Sequence, residues 1–463
     1  MVWKVDIKSI VLEADELQVS VRDNDKCNIK ICDVIGCHSC ERPASFLSSL
    51  FSLPPNIAIR YISKGPKYKW TTETVEVTGS EEECEALKNR INEKLGQDKE
   101  RPRKLAVFIN PIGGSQNSLD VYSRVICPLF KAANITCDVL VSERPKHMIE
   151  LISGFDTASV DGLVLMGGDG TLLEILNALL TKVQKESGVD YDQPTSKLKP
   201  LEVPIGVIPT GTGNGTAKGL YGNIDVVTAV LHIIKGGTDF NNVQGVYSGG
   251  KLVSFSAILV AYGLFSDLIY HVDKERWLKK ARYVVVPLKY MLFKRQRVFK
   301  AKVTLFPRKP CSDSQGATGS EESEAMEEKE AEICGLVVFN GDMLGHFNSR
   351  DSDLDIVVMA QESRKQDGFN LLIYRETGKL PFLSHFLKLL TMSRSAFERD
   401  FLSPYTVRGY KVKLLDRGRF EDPNSEEAQI NRILDVDGEL VEIVDGEYEV
   451  WNHMRIVKFF TCH

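Results

Sequence analysis

Long hydrophobic runs are scarce in this sequence. The longest nearly apolar stretch, residues 255–265, is about half of the roughly 20 residues that a membrane-spanning helix needs. Asp6 stands where a secretory signal would begin its apolar core, so no such signal is expected. We therefore expect a protein that is soluble or bound to a membrane surface.

Charge of one sign is not in large excess either. The 58 Lys and Arg residues and the 63 Asp and Glu residues of the 463-residue chain give a formal net charge of −5. Bulk attraction to nucleic acid is therefore not expected, and contact with an anionic surface would need a local basic patch.

Cysteines paired at regular spacings are lacking. The ten cysteines are spread over the chain, which favours a reducing compartment such as the cytosol. One cluster, Cys27, Cys32, Cys37 and Cys40 with His38 beside it, contains a single Cys-x-x-Cys pair. A zinc site usually needs a second, well-spaced pair. We interpret these residues as buried or loop thiols, with a metal site as the alternative.

The length predicts about three domains, at roughly 150 residues each. Residues 1–97 contain short alternating segments that end in a helical pattern at 80–95, opened by a Ser80-x-x-Glu83 capping box. Several strands followed by one helix predict a small β-barrel module that resembles a pleckstrin-homology domain. Residues 97–103 are charged and indicate a linker.

From residue 104 the hydrophobic period changes. Apolar runs of strand length alternate with longer amphipathic stretches up to residue 240, which predicts an α/β nucleotide-binding lobe with a parallel sheet. The predicted strands are 105–109, 137–141, 162–166 and 205–208, and the predicted helices are about 118–134, 145–154 and 171–187. In such sheets ligands bind beyond the carboxyl ends of the strands, so the loops after these strands are the candidate site.

Residues 241–463 return to strand patterns, one of them at 354–360, and predict a mainly β second lobe. A run rich in Ser, Gly and Glu, with few apolar residues, interrupts this lobe at 311–332. Such a composition cannot build a core, so we predict a disordered acidic insertion there.

Three of the predicted strands in the α/β lobe run into glycine-rich loops, at 110–114, 167–171 and 209–215. Glycine lets backbone amides approach a phosphate closely, and a following helix adds its positive N-terminal end. Three such loops at one sheet edge predict a site for a polyphosphate nucleotide, whereas one glycine pair would indicate only a tight turn. Neither the GxxxxGK[ST] nor the GxGxxG fingerprint is present, so ATP would bind in another way.

Asp169 stands among glycines at the head of a predicted helix. An aspartate there is able to cap the helix. An exposed carboxylate is also what a base needs if it is to accept the proton of a hydroxyl that attacks a γ-phosphate. Because Thr171 and the glycines already serve the turn, we favour the catalytic base.

The Gly-Gly-Asp-Gly-Thr sequence at 167–171, followed by Glu174 and Asn177, resembles the catalytic domain shared by diacylglycerol kinases, sphingosine kinases and ceramide kinases. The other stretches similar to this family, several of them to ceramide kinases in particular, include 105–114, 122–136, 211–214 and 262–283. The resemblance covers most of the chain. It implies a lipid kinase that uses ATP and Mg²⁺, with the β lobe binding the lipid.

The resemblance also implies the residues of the site. The implied nucleotide pocket consists of Asn110, Pro111, Gly113, Gly114, Ser142, Glu143, Arg144, Pro145, Lys146, Glu174, Gly211, Thr212, Gly213, Arg276, Arg282, Asp437, Gly438 and Glu439. The implied lipid contacts are Gly168, Asp169 and Gly170 around the reacting hydroxyl and Asp267 at the polar headgroup.

Some of these implied residues have other readings from the residues alone. Arg276 and Arg282 are, without the resemblance, more typical of a solvated helix face than of a phosphate site, and Asp437-Gly438 is typical of a hairpin turn. Magnesium is expected to bridge the ATP phosphates with few direct protein ligands, and its protein ligands are not identified.

The lipid substrate is predicted from one departure. Sphingosine kinases carry an acid two residues after the position of Asp267, where this chain has Ile269. A missing carboxylate suits the neutral amide of ceramide better than an amine, so we expect ceramide 1-phosphate and ADP as products. The alternative is a sphingosine or diacylglycerol kinase.

A non-enzymatic alternative remains open. Ceramide kinases have a basic, glycine-rich continuation after the first glycine pair, where this chain has Ser115-Gln116-Asn117. A lost phosphate contact would fit a catalytically weak adaptor that binds membrane lipids.

Membrane access is suggested by residues 274–309, which contain many Lys and Arg residues and, as the only acid, Glu275. With Trp277 and Phe293 interleaved, the segment predicts either an interfacial surface or a solvated basic helix. We expect a cytoplasmic protein that associates peripherally with membranes. The resemblance also allows a regulator of the calmodulin type.

Overall fold

The computed structural model describes residues 2–20, 26–40, 56–114, 116–307, 326–339, 368–390, 394–415 and 425–461. The predicted strand at 354–360 lies outside these residues, and so do residues 311–325 of the predicted acidic insertion. Among the described helices none is long and apolar enough to cross a bilayer.

The described residues of the N-terminal module form seven strands and one long helix. These are β1 Val2–Asp6, β2 Ile10–Glu13, β3 Glu16–Ser20, β4 Lys26–Lys30, β5 Val34–Ser39, β6 Asn56–Lys64, β7 Trp70–Thr78 and α1 Glu81–Gln97. The predicted capping box of α1 is confirmed, because Ser80 Oγ accepts from the Glu83 amide at 3.3 Å and the Glu83 carboxylate accepts from the Ser80 amide at 3.2 Å.

The predicted pleckstrin-homology-like barrel is not confirmed. The strands form two separate sheets, ordered β1-β7-β6-β5 and β2-β3-β4, and neither sheet closes on itself. β1 pairs with β7 in parallel. β2, the next strand along the chain, pairs instead with β3 and belongs to the other sheet. Alternation along the sequence predicted the strands but not this partition, which depends on pairing across more than 60 residues.

The α/β lobe follows the prediction closely. Its elements are β8 Lys104–Ile109, α2 Ser118–Val121, α3 Cys127–Ala132, β9 Thr136–Val141, α4 His147–Ser153, β10 Gly162–Gly167, α5 Asp169–Glu186, β11 Leu201–Pro209, α6 Gly215–Tyr221 and α7 Val226–Lys235. The four strands are parallel, in the order β11-β10-β8-β9. A π-helical turn at 122–126 joins α2 to α3, so the helix predicted at 118–134 is irregular.

The second lobe is rich in antiparallel sheet. Its elements are β12 Thr238–Ser248, β13 Lys251–Ser256, β14 Leu259–Gly263, α8 Leu264–Lys274, α9 Arg282–Phe293, β15 Phe299–Pro307, β16 Glu327–Ile333, β17 Gly335–Phe339, β18 Phe369–Tyr374, α10 Lys379–Leu390, β19 Leu402–Leu414, α11 Glu426–Ile430, β20 Ile433–Val436, β21 Glu439–Glu442 and β22 Glu447–Phe460. A 3-10 helix, Arg276–Ala281, connects α8 to α9.

Part of the predicted disordered insertion is ordered. Residues 327–332 belong to β16, which pairs with β15 along its whole length. Acidic side chains of β16 form ion pairs with lysines of β15, as in the Lys302–Glu328 pair at 2.7 Å. This pairing orders a segment that has too few apolar residues to build a core. The prediction of disorder was therefore wrong for these residues.

β22 joins the two lobes into one sheet. It pairs in parallel with β11 of the α/β lobe and antiparallel with β12 and β19 of the second lobe. Separate apolar clusters lie on the two sides of this junction, one around β8, β10 and β11 and one around β15, β17 and β19. The carboxyl ends of the parallel strands are thereby held against the second lobe.

Candidate active site

A cavity of about 890 Å³ lies at the carboxyl ends of β8, β10 and β11. Because these neighbouring strands are parallel, the loops that follow them meet at one edge of the sheet. The second lobe supplies the opposite wall, from Ile258, Leu259, Ile269 and the turn between β20 and β21. A cavity of this size, at this place in an α/β sheet, is a typical ligand site.

The glycine loops pack directly on one another. The Gly167 carbonyl accepts hydrogen bonds from the amides of Thr210, at 3.1 Å, and Gly211, at 3.0 Å. A Cβ on Gly211 would lie 2.2 Å from the Cα of Gly168, which leaves no room for any side chain. Part of the glycine signal therefore comes from contact between loops rather than from a ligand.

Asn110 shapes the first loop. Its Oδ1 accepts from the amides of Ile112, at 3.1 Å, and Gly113, at 3.2 Å. Its Nδ2 donates to Thr171 Oγ1 at 2.9 Å, which ties this loop to the start of α5. Asn110 lines the cavity, and these hydrogen bonds hold the turn that it belongs to.

Asp169 is the first residue of α5. Its carboxylate accepts from two backbone amides at the start of α6, with Gly215 N at 2.8 Å from Oδ2 and Thr216 N at 3.0 Å from Oδ1. Each carboxylate oxygen is able to accept a second hydrogen bond. The side chain is therefore fixed in direction and lies on the cavity wall, where it is able to accept a proton.

Carboxylates from both lobes face this position. Glu439 Oε1 lies 2.7 Å from the point where a Cβ of Gly170 would be, so this side chain reaches the start of α5. Partial loss of hydration, and then the charge of Asp273, raise the pKa of Glu439. Burial, and then the charge of Glu439, raise the pKa of Glu174, which lies one turn further along α5. The cavity therefore favours a cationic or metal-bridged ligand group near these two acids.

Asp437 has a structural role that the sequence did not indicate. Its carboxylate accepts from Ser256 Oγ at 2.7 Å and from the amides of residues 257–259 at 2.8 to 3.0 Å. Burial raises its pKa to about 6. Asp437 therefore anchors the turn between β13 and β14, although it also lines the cavity.

Asp435 is a cavity residue that the sequence analysis missed. It is buried, and its Oδ1 accepts from the Gly438 amide at 2.8 Å. Burial raises its pKa to about 8. No motif in the sequence marks this residue, because its place in the wall depends on the pairing of β20 with β14.

The predicted cations have different surroundings. Arg276 lines the cavity and forms an ion pair with Asp273 at 3.0 Å. Arg282 lies 3.8 Å from the same carboxylate and donates to Tyr283 Oη at 2.8 Å. Both arginines oppose the rise in the pKa of Glu439, so both of their charges act on this carboxylate.

Asp267 and Arg297 form a buried ion pair. Arg297 donates to both carboxylate oxygens of Asp267, with Nη2 at 2.7 Å from Oδ1 and Nε at 3.1 Å from Oδ2. Asp267 is 1% exposed, and burial raises its pKa while Arg297 opposes that shift. Its neighbour on α8, Ile269, lines the cavity. The expected headgroup residue is thus already neutralised by a partner that the sequence analysis did not identify.

The cavity brings together most of the residues implied by the resemblance. Those that line it are Asn110, Gly113, Gly114, Ser142, Arg144, Pro145, Lys146, Gly168, Asp169, Gly170, Glu174, Gly211, Thr212, Gly213, Arg276, Asp437, Gly438 and Glu439. Four implied residues are not part of its lining: Pro111, Glu143, Arg282 and Asp267. The lining residues that the sequence analysis did not name for the site include Ile112, Met148, Thr171, Gly215, Tyr283 and Asp435.

The oxygen donors of the cavity bear on whether it holds a metal ion. Among the residues that the structure describes, no group of three or more His, Cys, Asp and Glu side chains is arranged to hold an ion. The carboxylate oxygens of Glu174 and Glu439 are nevertheless ligands of the kind that Mg²⁺ takes. The cavity fits an ion that receives most of its ligands from a bound polyphosphate and water.

Known proteins are similar to this chain in sequence. Residues 104–243 match the family model described as the diacylglycerol kinase catalytic domain. The chain is 28% identical over 327 residues to the ceramide kinase of Homo sapiens, a match that covers 67% of this chain and 60% of that protein. It is 26% identical over 362 residues to sphingosine kinase 1 of Arabidopsis thaliana, covering 74% of this chain and 69% of that protein.

A solved structure has the same fold. The crystal structure of a putative diacylglycerol kinase from Bacillus anthracis str. Sterne superposes with a TM-score of 0.52, covering 79% of this chain and 97% of that chain at 16% identity. The α/β lobe with its sheet-rich second region is therefore the architecture of a diacylglycerol kinase-type fold.

Proposed function

We propose that this chain, which belongs to the family of the diacylglycerol kinase catalytic domain, is a lipid kinase that transfers the γ-phosphate of ATP to the primary hydroxyl of ceramide. The observation that carries this proposal is Asp169, held by two amides at the meeting point of the glycine loops. The matched relatives named ceramide kinase and sphingosine kinase support the same class of reaction.

In the proposed reaction Asp169 accepts the proton of the lipid hydroxyl. The hydroxyl oxygen forms a bond to the γ-phosphorus, and the bond between that phosphorus and the β,γ-bridging oxygen breaks. The products are the phosphorylated lipid and ADP, and the proton passes from Asp169 to water. The amides of Gly215 and Thr216 orient the carboxylate so that its remaining lone pairs face the cavity.

The nucleotide side of the cavity would position the phosphates. We assign Lys146 and Arg276, two cations of the lining, to the phosphate oxygens; Arg276 meets Asp273 through Nη2, which leaves its other nitrogens able to donate. Arg144 is a weaker candidate because its guanidinium already pairs with Glu150, at 2.6 and 2.8 Å. Magnesium, held mainly by the phosphates with Glu174 or Glu439 nearby, would neutralise charge on the transferred group.

Ceramide as the lipid is supported by the charge around α8. Both oxygens of Asp267 are engaged by Arg297, so the pair carries no net charge to attract a lipid ammonium. Ile269 presents an apolar side chain to the cavity where an acid would favour an amine. A neutral amide headgroup meets no unpaired charge here, and the ammonium of sphingosine finds no unpaired carboxylate at this position.

Contact with a membrane is supported by what we call the α9 surface. It consists of the exposed apolar residues Trp277, Val284, Val285, Leu288, Leu292 and Phe293 with the exposed cations Lys289, Lys294 and Arg295. Trp277 is 75% exposed and Phe293 is 78% exposed. Large apolar side chains beside cations suit the boundary between acyl chains and anionic headgroups. A calmodulin-type regulator stays a prediction.

The test is transfer of labelled γ-phosphate from ATP to ceramide, sphingosine and diacylglycerol in mixed micelles. Asp169→Asn is expected to lower turnover on the order of 10²-fold or more, because the amide cannot accept the proton. The variant keeps one acceptor for the α6 amides, so thermal unfolding and binding of a non-hydrolysable ATP analogue should change little. Asp138→Asn, at an exposed acid on β9, is the matched control and should be fully active.

Each outcome decides between the candidates. Label in ceramide alone supports the proposal, and label in sphingosine or diacylglycerol assigns the chain to that other substrate. Near-normal turnover of Asp169→Asn would remove this residue from the mechanism. Liposome binding without transfer to any lipid would favour the adaptor.

A further inference from the structure

The N-terminal module is packed against the α/β lobe through Trp70. The indole of Trp70 stacks on the His232 ring of α7, with centroids 3.8 Å apart and planes 12° apart. The Trp70 amide donates to Thr228 Oγ1, also on α7, at 3.0 Å. All three residues are buried, and Trp70 belongs to the apolar cluster of the α/β lobe rather than to that of its own module.

The contact continues from α7 to α6. The His232 ring lies 5.0 Å from the ring of Tyr221, the last residue of α6. Tyr221 Oη in turn accepts from the amide of Val207 in β11 at 3.1 Å. The Tyr221 side chain at the end of α6 is thus held between α7, against which the module packs, and β11, which leads into the 210–214 loop.

The turn after α6 also touches the module. Asn223 Nδ2 donates to the Tyr68 carbonyl at 2.7 Å. A Cβ on Gly222 would lie 2.8 Å from the Tyr68 ring, so the two segments are in direct contact. α6 is therefore fixed at its carboxyl end by two residues of the module, Tyr68 and Trp70.

The other end of α6 holds the carboxylate that the proposed reaction uses. Its first two amides, Gly215 N and Thr216 N, are the donors to Asp169. α6 spans seven residues, about 10 Å at 1.5 Å per residue. A short, well-formed helix moves as one piece, so a shift at Tyr221 changes the donor positions at Asp169.

We propose that Trp70 is a positioning residue for phosphoryl transfer: through His232 and Tyr221 it fixes α6 and thereby the direction of the Asp169 carboxylate. The N-terminal module is then part of the catalytic unit and not a tethered attachment. This inference rests on the proposed function for its activity readout. A displacement far from the reacting atoms is able to lower the rate strongly when it moves a catalytic group by a fraction of an ångström.

The main test compares Trp70→Leu with Trp70→Phe. Leucine keeps an apolar side chain but loses the stack on His232, whereas phenylalanine keeps a ring. Trp70→Leu is expected to lower kcat about tenfold with KM for ATP nearly unchanged. Trp70→Phe is expected to retain most of the kcat of the unmodified protein. If Trp70 only stabilises the fold, both variants should have a lower unfolding temperature, and Trp70→Leu should not have a lower kcat at an unchanged KM.

Arg101→Gln is the matched control. Arg101 donates to the carbonyls of Val34 and Ile35 at 2.9 Å, so the change weakens the same junction without touching α6. It should reduce stability and leave kcat unaltered. Tyr221→Phe, which loses the hydrogen bond to Val207, should reduce kcat, and its effect should not add to that of Trp70→Leu because both act through α6.

Hydrogen exchange gives a readout that does not depend on activity. Amides of 210–221 should exchange faster in Trp70→Leu than in the unmodified protein or in Arg101→Gln, while those of β6 stay protected. If the unmodified protein phosphorylates no lipid, the proposed function fails, and exchange still tests the positioning. Unchanged exchange at 210–221, or unchanged kcat in an active protein, would overturn the inference.

Discussion

At the scale of single residues, Asp435 is a buried carboxyl whose pKa is raised from 3.8 to about 8 by burial. The folded state therefore keeps a proton that the unfolded state loses near pH 4. Its contribution is most favourable below the unfolded-state pKa, and stability falls as the pH rises toward 8.

Asp435→Asn should remove this pH dependence. The amide oxygen is able to accept from the Gly438 amide as the carboxyl does, but it does not ionise. Urea unfolding at pH 6 and pH 8.5 should show a smaller loss of stability in the variant than in the unmodified protein. Asp437→Asn is the contrast, because it disturbs the hydrogen bonds of residues 256–259 and should destabilise at both pH values. If the free energy of unfolding falls equally with pH in Asp435→Asn and in the unmodified protein, the pH dependence does not come from Asp435.

The Asp267–Arg297 pair yields a prediction about substrate choice. Arg297→Met removes the guanidinium that neutralises Asp267, which lies two residues from the cavity residue Ile269 on α8. The uncompensated carboxylate then attracts the ammonium of sphingosine through the cavity wall, so the ratio of kcat/KM for sphingosine to that for ceramide should rise about tenfold. The measurement is the same lipid panel with purified variants.

Arg297→Lys is the control for this change, since it keeps the positive charge and should keep the ratio. Loss of one partner of a buried ion pair is destabilising, so both variants need a check of folding by thermal unfolding. A folded Arg297→Met protein with the original ratio would show that this pair does not set the substrate.

At the scale of elements, the strands of the α/β lobe were predictable because a buried parallel strand is a short, continuous apolar run. β8, β10 and β11 agree with their predicted positions, with β11 starting four residues earlier. The ends of these strands then located the glycine loops and Asp169. The glycine loops and Asp169 were therefore predictable from local sequence patterns alone.

Other parts of the site depend on partners far away in sequence. Arg297 is 30 residues from Asp267, and the four donors to Asp437 come from a turn about 180 residues earlier. No periodicity marks such pairs. The same reason explains the N-terminal sheets, whose strands were predicted but whose division into two open sheets was not.

The α9 surface gives a prediction at the scale of one element. Trp277→Ala and Phe293→Ala together should weaken binding to vesicles that contain an anionic lipid, because exposed apolar side chains that enter the headgroup region are lost. Ile224→Ala, at an exposed apolar residue beside α6, is the control and should bind as the unmodified protein does. Co-sedimentation with vesicles measures this, and equal binding of all variants would exclude the α9 surface as the contact.

At the scale of the whole molecule, the two lobes share one sheet through β22. We therefore expect them to unfold together. Tryptophan fluorescence, to which Trp451 in β22 contributes, and far-UV circular dichroism should give coincident urea transitions. A saturating ATP analogue should shift both transitions equally, because a ligand of the native state stabilises the entire cooperative unit. Two separated transitions would mean that the lobes unfold independently.

The position of β22 also bears on how the protein is made. Leu201 of β11 pairs with Val457 of β22, 256 positions later in the chain. At about 5 to 20 residues per second, a ribosome needs roughly 13 to 50 s to bridge that distance. During this time β11 presents an unpaired apolar edge, which is the kind of surface that aggregates in a nascent chain. Biosynthesis of this protein should therefore depend on chaperones that shield an unfinished sheet until translation has delivered its central strand.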